Sequence, residues 1–464
     1  MDAQTMTAWL VEGARALLAG LTGPPDLGRI EVAVEQAARL LSRGAVERLA
    51  QEAAGAMPFT CPDCRGPLRV IEHDRERTVT CSSGPIRLSR SYGRCPACGT
   101  NVCPADAALG LSERAAASPR VQEFCALATL RAPAGRAEED VRRLTGLRIP
   151  ASTLHREARR QGERALEQRQ ADERLTRTPT GVAELASRAK VPDGDFTLVI
   201  EIDAWNIRER DNWGQTQELL KAGRDTGRWH WVLTATVFRL DQRGTTLSGR
   251  PVISERGYVG TRAGLESFQA QVYAEALMRG LMHAKTVLLL GDGAAWIWNL
   301  AENRFPSAVQ RLDLYHAQEH LWGLAHELHG RGTPEARAWV GPYLRDLKEA
   351  ENGAGKLVEG LTGLAGVMEG LTQGQLQSVA REAEYFRTHQ GRMDYKAGLA
   401  RGEPVGSGAI ESTCSQCQRR FKLTGQFWSL AGDEAFLALW TLHQNGRWQL
   451  LFPHDTRDWL DKVA

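Results

Sequence analysis

The chain has 464 residues, 42% hydrophobic and 25% charged, with a formal net charge of +2; this is the make-up of folded protein, long enough for two to four domains, and it excludes a disordered chain. A balance so near neutrality means that any nucleic-acid partner has to be argued from where the charge lies. No apolar run approaches the ~20 residues of a membrane span, and Asp2 and Glu12 stand where a secretion signal needs a basic end and an apolar stretch, so a cytoplasmic protein is expected.

Residues 1–57 place Leu10, Ala14, Leu17 and Leu18, then Ile30, Val34, Ala37, Ala38 and Leu41, at helical spacing around a break at Gly23-Pro24-Pro25, which predicts a helical lead-in. From 58 to 104 the composition turns to cysteine, glycine and proline with short alternating strands at 77–80 and 86–92. Cys61-Pro-Asp-Cys64 and Cys95-Pro-Ala-Cys98 are paired C-x-x-C knuckles, each followed by glycine. Four thiolates so spaced suit tetrahedral zinc, and a closed set leaves no open position, so the role expected of the zinc ribbon is structural. Cys81 and Cys103 are near enough in sequence to be substitute ligands, but the paired knuckles are preferred.

Residues 105–190 read as a helical, arginine-rich region. A short helix at 138–144, a turn at 145–150 and a helix opened by Ser152 as N-cap make a helix-turn-helix-like candidate. Its cations Arg142, Arg143, Arg148, Arg156, Arg159 and Arg160 face the single acid Glu157 within that stretch, an excess suited to DNA phosphates. A solvated helical hairpin would show much the same pattern.

Strand-like runs follow at 196–202, 228–240 and 251–259, then a helix at 265–281, a strand at 287–290, a helix near 295–302 and a strand at 309–314. Three adjacent strands, then helix, strand, helix and strand, is the order of a ribonuclease-H-like mixed sheet. Residues 317–400 keep helical periodicity with glycine breaks, an all-helical insertion before a last core helix in 401–464. The fold class expected is thus multidomain α/β: this core, 191–316 and 401–464, preceded by the zinc ribbon and the helix-turn-helix-like region.

Three carboxylates stand out by context. Asp203 ends the apolar run 197–202, Asp292 follows the run 286–290 between Gly291 and Gly293, and Glu411 lies in VGSGAIES. Open α/β sheets place their ligand crevice at the carboxyl ends of strands, and carboxylates gathered there repel one another unless cations neutralise them. Magnesium, a hard ion that prefers oxygen ligands, is the natural choice. Asp313 rivals Glu411 as third acid, and His316 is an active-site contact, a partner of Asp313, or a core histidine. His316 and His320 at i and i+4 do not read as a zinc hydrolase, because Ala317 stands where the glutamate of such a motif belongs. Cys414 and Cys417 are expected to pack in the interior. Trp205, Trp296, Trp298 and Trp428 are candidates for stacking on bases, against a reading as ordinary core.

Taken together, GDGAAWIW (291–298), LDLYHAQEH (312–320), VGSGAIES (405–412) and the Arg419 to Gly425 stretch make the chain resemble a DDE transposase of bacterial insertion sequences, more narrowly the branch allied to Mutator-type transposases. The resemblance covers most of the chain. It implies that Asp203, Asp292 and Glu411 hold two magnesium (or manganese) ions for two-metal phosphoryl transfer, that Asp313-Leu-Tyr-His316 opens the helical insertion, and that Asp313 and His316 support the site. It further implies binding to terminal inverted repeats and target DNA, with Arg419, Arg420 and Lys422 steadying the phosphate backbone, and action as a homodimer or higher oligomer. One departure is a second thiol, Cys417, beyond the cysteine usual after the GSG-x-x-E element. The rival readings are a transposase-derived, zinc-dependent DNA-binding protein without catalysis, and a ribonuclease-H-like nuclease that cuts without joining.

Overall fold

The computed structural model describes residues 3–20, 24–112, 115–210, 214–224 and 227–453. They fall into two compact units, one within Met1–Gln161 and Gln449–Ala464, the other Gly162–Trp448. The architecture is α/β with a mixed sheet and many helices.

The first unit opens with α1 (Ala3–Leu18) and α2 (Leu27–Gly55), which meet through Ala14, Ala33 and Ala37. Asp26 starts α2 by accepting the Arg29 amide at 2.8 Å, a side-chain N-cap after the proline pair. The strands β1 (Arg69–Cys81), β2 (Gly84–Arg94) and β3 (Asn101–Val102) form an antiparallel sheet, both long strands reaching further than the sequence pattern predicts. Next come α3 (Pro104–Ala108), α4 (Pro119–Arg131), α5 (Ala134–Thr145) and α6 (Ala151–Leu175), which runs on into the second unit. The turn between α5 and α6 starts at Gly146, whose φ of 66° is the left-handed cap that glycine makes easily. Ser152 is not the N-cap: it lies inside the first turn of α6, and the amide of Ala151 is met instead by Glu138 of α5 at 2.9 Å. Val121, Cys125, Val141, Leu147 and Leu154 close the core of these helices.

In the second unit α7 (Pro179–Ser187) leads to β4 (Thr197–Glu209), α8 (Thr216–Lys221), β5 (Arg228–Arg239), the small hairpin β6 (Arg243–Thr245) and β7 (Pro251–Ile253), and β8 (Gly257–Thr261). Then follow α9 (Leu265–Met278), β9 (Thr286–Gly291), α10 (Ala295–Arg304) and β10 (Val309–Leu312). The sheet order is β10-β9-β4-β5-β8, with β8, β5 and β4 antiparallel and β4, β9 and β10 parallel. The single run expected at 251–259 divides between two sheets, and the run expected at 309–314 ends at Leu312, because Asp313 turns the chain into a helix.

Beyond β10 the chain is helical: α11 (Leu314–His329), α12 (Pro334–Glu349), α13 (Gly353–Val367), α14 (Gln373–His389), α15 (Tyr395–Ala400), α16 (Gly408–Phe421) and α17 (Leu430–Gln444). One face of the sheet, with Leu198, Ile200, Ile202 and Val237, shares a continuous apolar core with α9, α10 and the helices from α11 to α14. Successive strand residues point to opposite faces, and the other face, with Val199, Phe238, Leu288 and Leu290, packs against Ala409 of α16.

Candidate functional site

Asp203 does not end its strand. The polar residue at 203 ends the apolar run, but Trp205 and Ile207 resume a buried alternation and β4 continues to Glu209. What ends near Asp203 is the neighbouring strand: β9 pairs with β4 only as far as Glu201↔Leu290. Since β10 meets β9 at Arg311↔Leu290, counting two residues on along each strand puts Asp203, Asp292 and Asp313 in one row. Gly291 and Gly293 permit this for different reasons. A Cβ on Gly291 would stand 2.8 Å from Ile297, whereas Gly293 adopts φ of 102° and a Cβ there would meet the Tyr385 hydroxyl at 2.7 Å.

Asp313 is fully buried and accepts four hydrogen bonds: from the Tyr315 amide at 3.0 Å, the Ser407 amide at 3.1 Å, the Ser407 hydroxyl at 2.7 Å and His316 Nδ1 at 3.1 Å. Burial works against its charge, but the bonds from His316, Ser407 and Tyr315 hold its carboxyl below the ordinary range. Ser407 Oγ also stands 3.0 Å from Glu411 Oε1, so one hydroxyl proton serves two carboxylates. Burial raises the Asp203 carboxyl, the Ala204 amide opposes that, and the charge of Asp292 raises it further. The bond to Asp313, against burial, pushes His316 up to about 9, with the charges of Asp313, Asp292 and Glu319 helping. An imidazolium therefore sits among these acids at neutral pH.

Cys414 Sγ lies 3.7 Å from Asp203 Oδ2, and Cys414 and Cys417 are both buried. His320 does not join His316: it bonds Glu382 at 2.7 Å and stacks on Tyr385 at 3.8 Å. Trp205, Trp298 and Trp428 are buried, and Trp296 packs edge-on against Phe268. Arg420 corrects the expectation for its stretch. It is 8% exposed over the rings of Trp428 and Phe436, and burial brings its guanidinium down to about 10, whereas Arg419 and Lys422 are exposed.

Sequence reasoning missed two positioning groups. Glu201, inside the apolar run, accepts the Ile410 amide at 2.9 Å and so fixes the start of α16 to β4. Arg311, almost wholly buried, binds Glu403 at 2.7 Å and the Pro404 carbonyl at 3.0 Å, holding the segment before Ser407. For Glu201 an acid inside an apolar run is the available signal, though its partner is not; Arg311, in Val-Gln-Arg-Leu, carries no such signal.

In the first unit Cys61, Cys64, Cys95 and Cys98 bring their sulfurs within 4.8 Å of one another. Among the described residues no other group of three or more such ligands is as compact, so the acids of the second unit stand further apart. Sulfur pairs at 3.5 Å (Cys61 and Cys98) and 3.4 Å (Cys64 and Cys95) fit four thiolates about one zinc with ~2.3 Å bonds. The two knuckles repeat one turn: Cys61 N bonds Gly66 O and Cys95 N bonds Thr100 O, each at 2.8 Å. The Thr100 side chain and amide, then Cys95 and Cys61, pull the Cys98 thiol down to about 6, while Cys64, lowered by its bond from the Gly66 backbone, is pushed up to about 12 by Cys95, burial, Cys61 and Cys98. Cys81 and Cys103 are buried outside this group.

In the helix-turn-helix-like segment Glu139 pairs with Arg142 at 2.9 Å and Arg143 at 2.6 Å, an acid just outside the stretch read for its charge. Arg160 pairs with Glu157 at 2.9 Å and Arg156 donates to the Thr153 hydroxyl at 3.2 Å; the side chains of Arg148, Arg156 and Arg159 are exposed.

No protein-family model matches the chain, and no curated protein does. Among solved structures it is similar to the Drosophila P element transposase in its strand transfer complex, at 11% identity over 73% of this chain and 81% of that one, with a TM-score of 0.24. A likeness at that level carries no argument for fold or activity. No described helix is long and apolar enough to cross a membrane.

Proposed function

We propose that the protein is a DNA transposase of a bacterial insertion sequence, allied to the Mutator-type branch, with a ribonuclease-H-like core whose Asp203, Asp292 and Glu411 serve phosphodiester cleavage and strand transfer. The observation that carries this reading is the common register of Asp203 on β4 with Asp292 and Asp313, each one residue past the end of its strand in the parallel set β4, β9 and β10, with Ser407 linking Asp313 to Glu411. The sheet order supports the core assignment.

The all-oxygen donor set fits a hard divalent cation, and the repulsion by which Asp292 raises Asp203 is what such a cation relieves. Magnesium or manganese, when bound by Asp203, Asp292 and Glu411, supplies Lewis-acid stabilisation of the attacking and leaving oxygens. Ser407 orients Glu411, and His316 offers positive charge to a DNA phosphate beside Asp292. Asp313, saturated by four donors, positions Ser407 and His316.

In this reading 58–104 is a structural zinc ribbon, 105–190 contacts the terminal repeats through Arg148, Arg156 and Arg159, and 317–400 is an insertion within the core of 191–316 and 401–464. The protein works in the cytoplasm as a homodimer or higher oligomer, because two ends are processed together. The test is incubation of zinc-loaded protein with linear DNA carrying the sequences that flank its gene, with Mg²⁺ or Mn²⁺. Fixed-end nicks and joined products, lost in Asp203→Asn and Glu411→Gln, are expected. Cutting without joining identifies a nuclease, and binding without cutting a zinc-dependent DNA-binding protein; either overturns the proposal.

A further inference from the structure

β4 and β5 stay paired from Leu198↔Arg239 to Glu209↔Arg228, but β8 pairs with β5 only from Leu233 to Val237 and β9 leaves β4 at Glu201. The end of this pair is therefore a two-stranded ribbon projecting past the row of acids, edged by the Trp428 backbone, which bonds Arg208 and Arg210. Its two faces differ. Trp205, Ile207 and Glu209 on one face are buried, as a packed face requires. On the other, where a solvated ribbon carries polar side chains, Trp229 is 55% exposed and Trp231 62% exposed, opposite Arg208 and Asn206.

Cations accompany these rings. The Arg208 guanidinium lies 5.8 Å from the centre of Trp229 and Lys422 Nζ 5.3 Å from it, while Arg210 covers Phe427 at 3.7 Å. The nearby carboxylate of Glu209 is buried and paired with Arg262, so it does not offset them at the surface. Two exposed indoles with flanking cations match a polymer that is flat, apolar and stackable in its bases and anionic in its backbone. A hydrophobic protein partner would account for the rings but not for the two cations beside Trp229.

We propose that this face is a stacking platform for unpaired bases of a DNA strand, with Trp229 and Trp231 holding bases and Arg208 and Lys422 holding phosphates. The choice of polymer rests on the function proposed above. Trp231 pairs with Asn206, three residues beyond Asp203, or about 10 Å at ~3.3 Å per residue. Asp203 points to the other face of the ribbon, so the platform holds the strand next to the chemistry without sharing its side chains.

The test uses the full-length, zinc-loaded protein without added magnesium, titrated against a labelled oligothymidylate strand and a duplex of equal length. The joint Trp229→Ala and Trp231→Ala variant is expected to lose about tenfold or more in single-strand affinity, with duplex affinity and melting temperature unchanged. Trp231→Phe, which keeps a ring, is expected to bind close to wild type. Equal single-strand binding by wild type and the double variant overturns the proposal. So does a dimer in sedimentation that the double variant dissolves while strand binding persists, since the face then belongs to a second copy. Strand binding is read without magnesium and requires no cleavage, so a failure of the cleavage reading is distinguishable from a failure of this one.

Discussion

Glu201 accepts the amide of Ile410 at 2.9 Å, so the strand that bears Asp203 also anchors the helix that bears Glu411. The two acids lie far apart in sequence, and this bond joins their elements together with the approach of Cys414 to Asp203 at 3.7 Å. Ser407 in turn ties Glu411 to Asp313, just past the end of β10.

Burial, opposed by the amides of Ile410 and Ala409 and by Arg256, pushes Glu201 up to about 7 from 4.5. A carboxyl raised on folding contributes stability that is complete below pH 4.5 and lost as pH rises through about 7, a span worth roughly 3 kcal/mol. Glu201→Gln keeps an acceptor for the Ile410 amide and does not titrate. Its melting temperature should therefore gain on that of wild type steadily between pH 5 and pH 8. A constant difference across that range would show that Glu201 is not buried as a titrating acid.

The charge on His316 depends on Asp313. A histidine raised to about 9 contributes stability that is complete below its ordinary value of 6.5 and lost as pH rises through about 9. Asp313, held low, contributes above its ordinary 3.8 and loses that contribution as pH falls through its depressed value. Asp313→Asn should return the His316 titration toward 6.5, read from the ring carbon resonances. An unchanged titration would mean that Asp292 and Glu319 hold the proton without Asp313.

Much of this arrangement is legible in the sequence where the signal is local. The periods of the helices from α11 to α14, the apolar run of β9, and the glycines around Asp292 depend on near neighbours and on backbone geometry. Less legible is whatever depends on a distant partner. Arg420 reads as a helix-end cation until Trp428 and Phe436 close over it, and Glu201 reads as a break in an apolar run until the Ile410 amide arrives. Trp229 and Trp231 are unremarkable in sequence because their exposure follows from where β8 stops, which no residue near them encodes.

Gly293 offers a sharper test of the acid row than substitution of the acids themselves. With φ of 102° and the Tyr385 hydroxyl 2.7 Å from a built Cβ, alanine there adds backbone strain of about 1–3 kcal/mol and displaces either Tyr385 or the loop. Tyr385 donates to the Asp292 carbonyl at 3.3 Å, so displacement moves Asp292. Gly293→Ala should lower the denaturant midpoint and abolish divalent-ion binding at the acids while leaving the cysteine site loaded. Combining it with Tyr385→Phe removes the hydroxyl clash but not the strain, and should recover only part of the midpoint.

The cysteine quartet should behave independently of that site. The knuckles, joined through the pairing of β1 with β2 and by the Thr100 to Asp63 bond at 2.8 Å, have a small apolar core of their own, Cys61, Leu68 and Cys95 with Phe59 and Val102 beside them. So small a core needs a metal to hold it. One zinc per chain is expected by elemental analysis. Cobalt in its place should give the visible absorption of a four-sulfur tetrahedral site, and Cys95→Ala should lose both metal and structure in β1 and β2. Hydrogen exchange resolves the outcome by segment: protection should fall across 58–104 and persist in β4, β9 and α16, whose core contains none of these residues. Retained protection in β1 and β2 without metal would show that packing alone holds the knuckles.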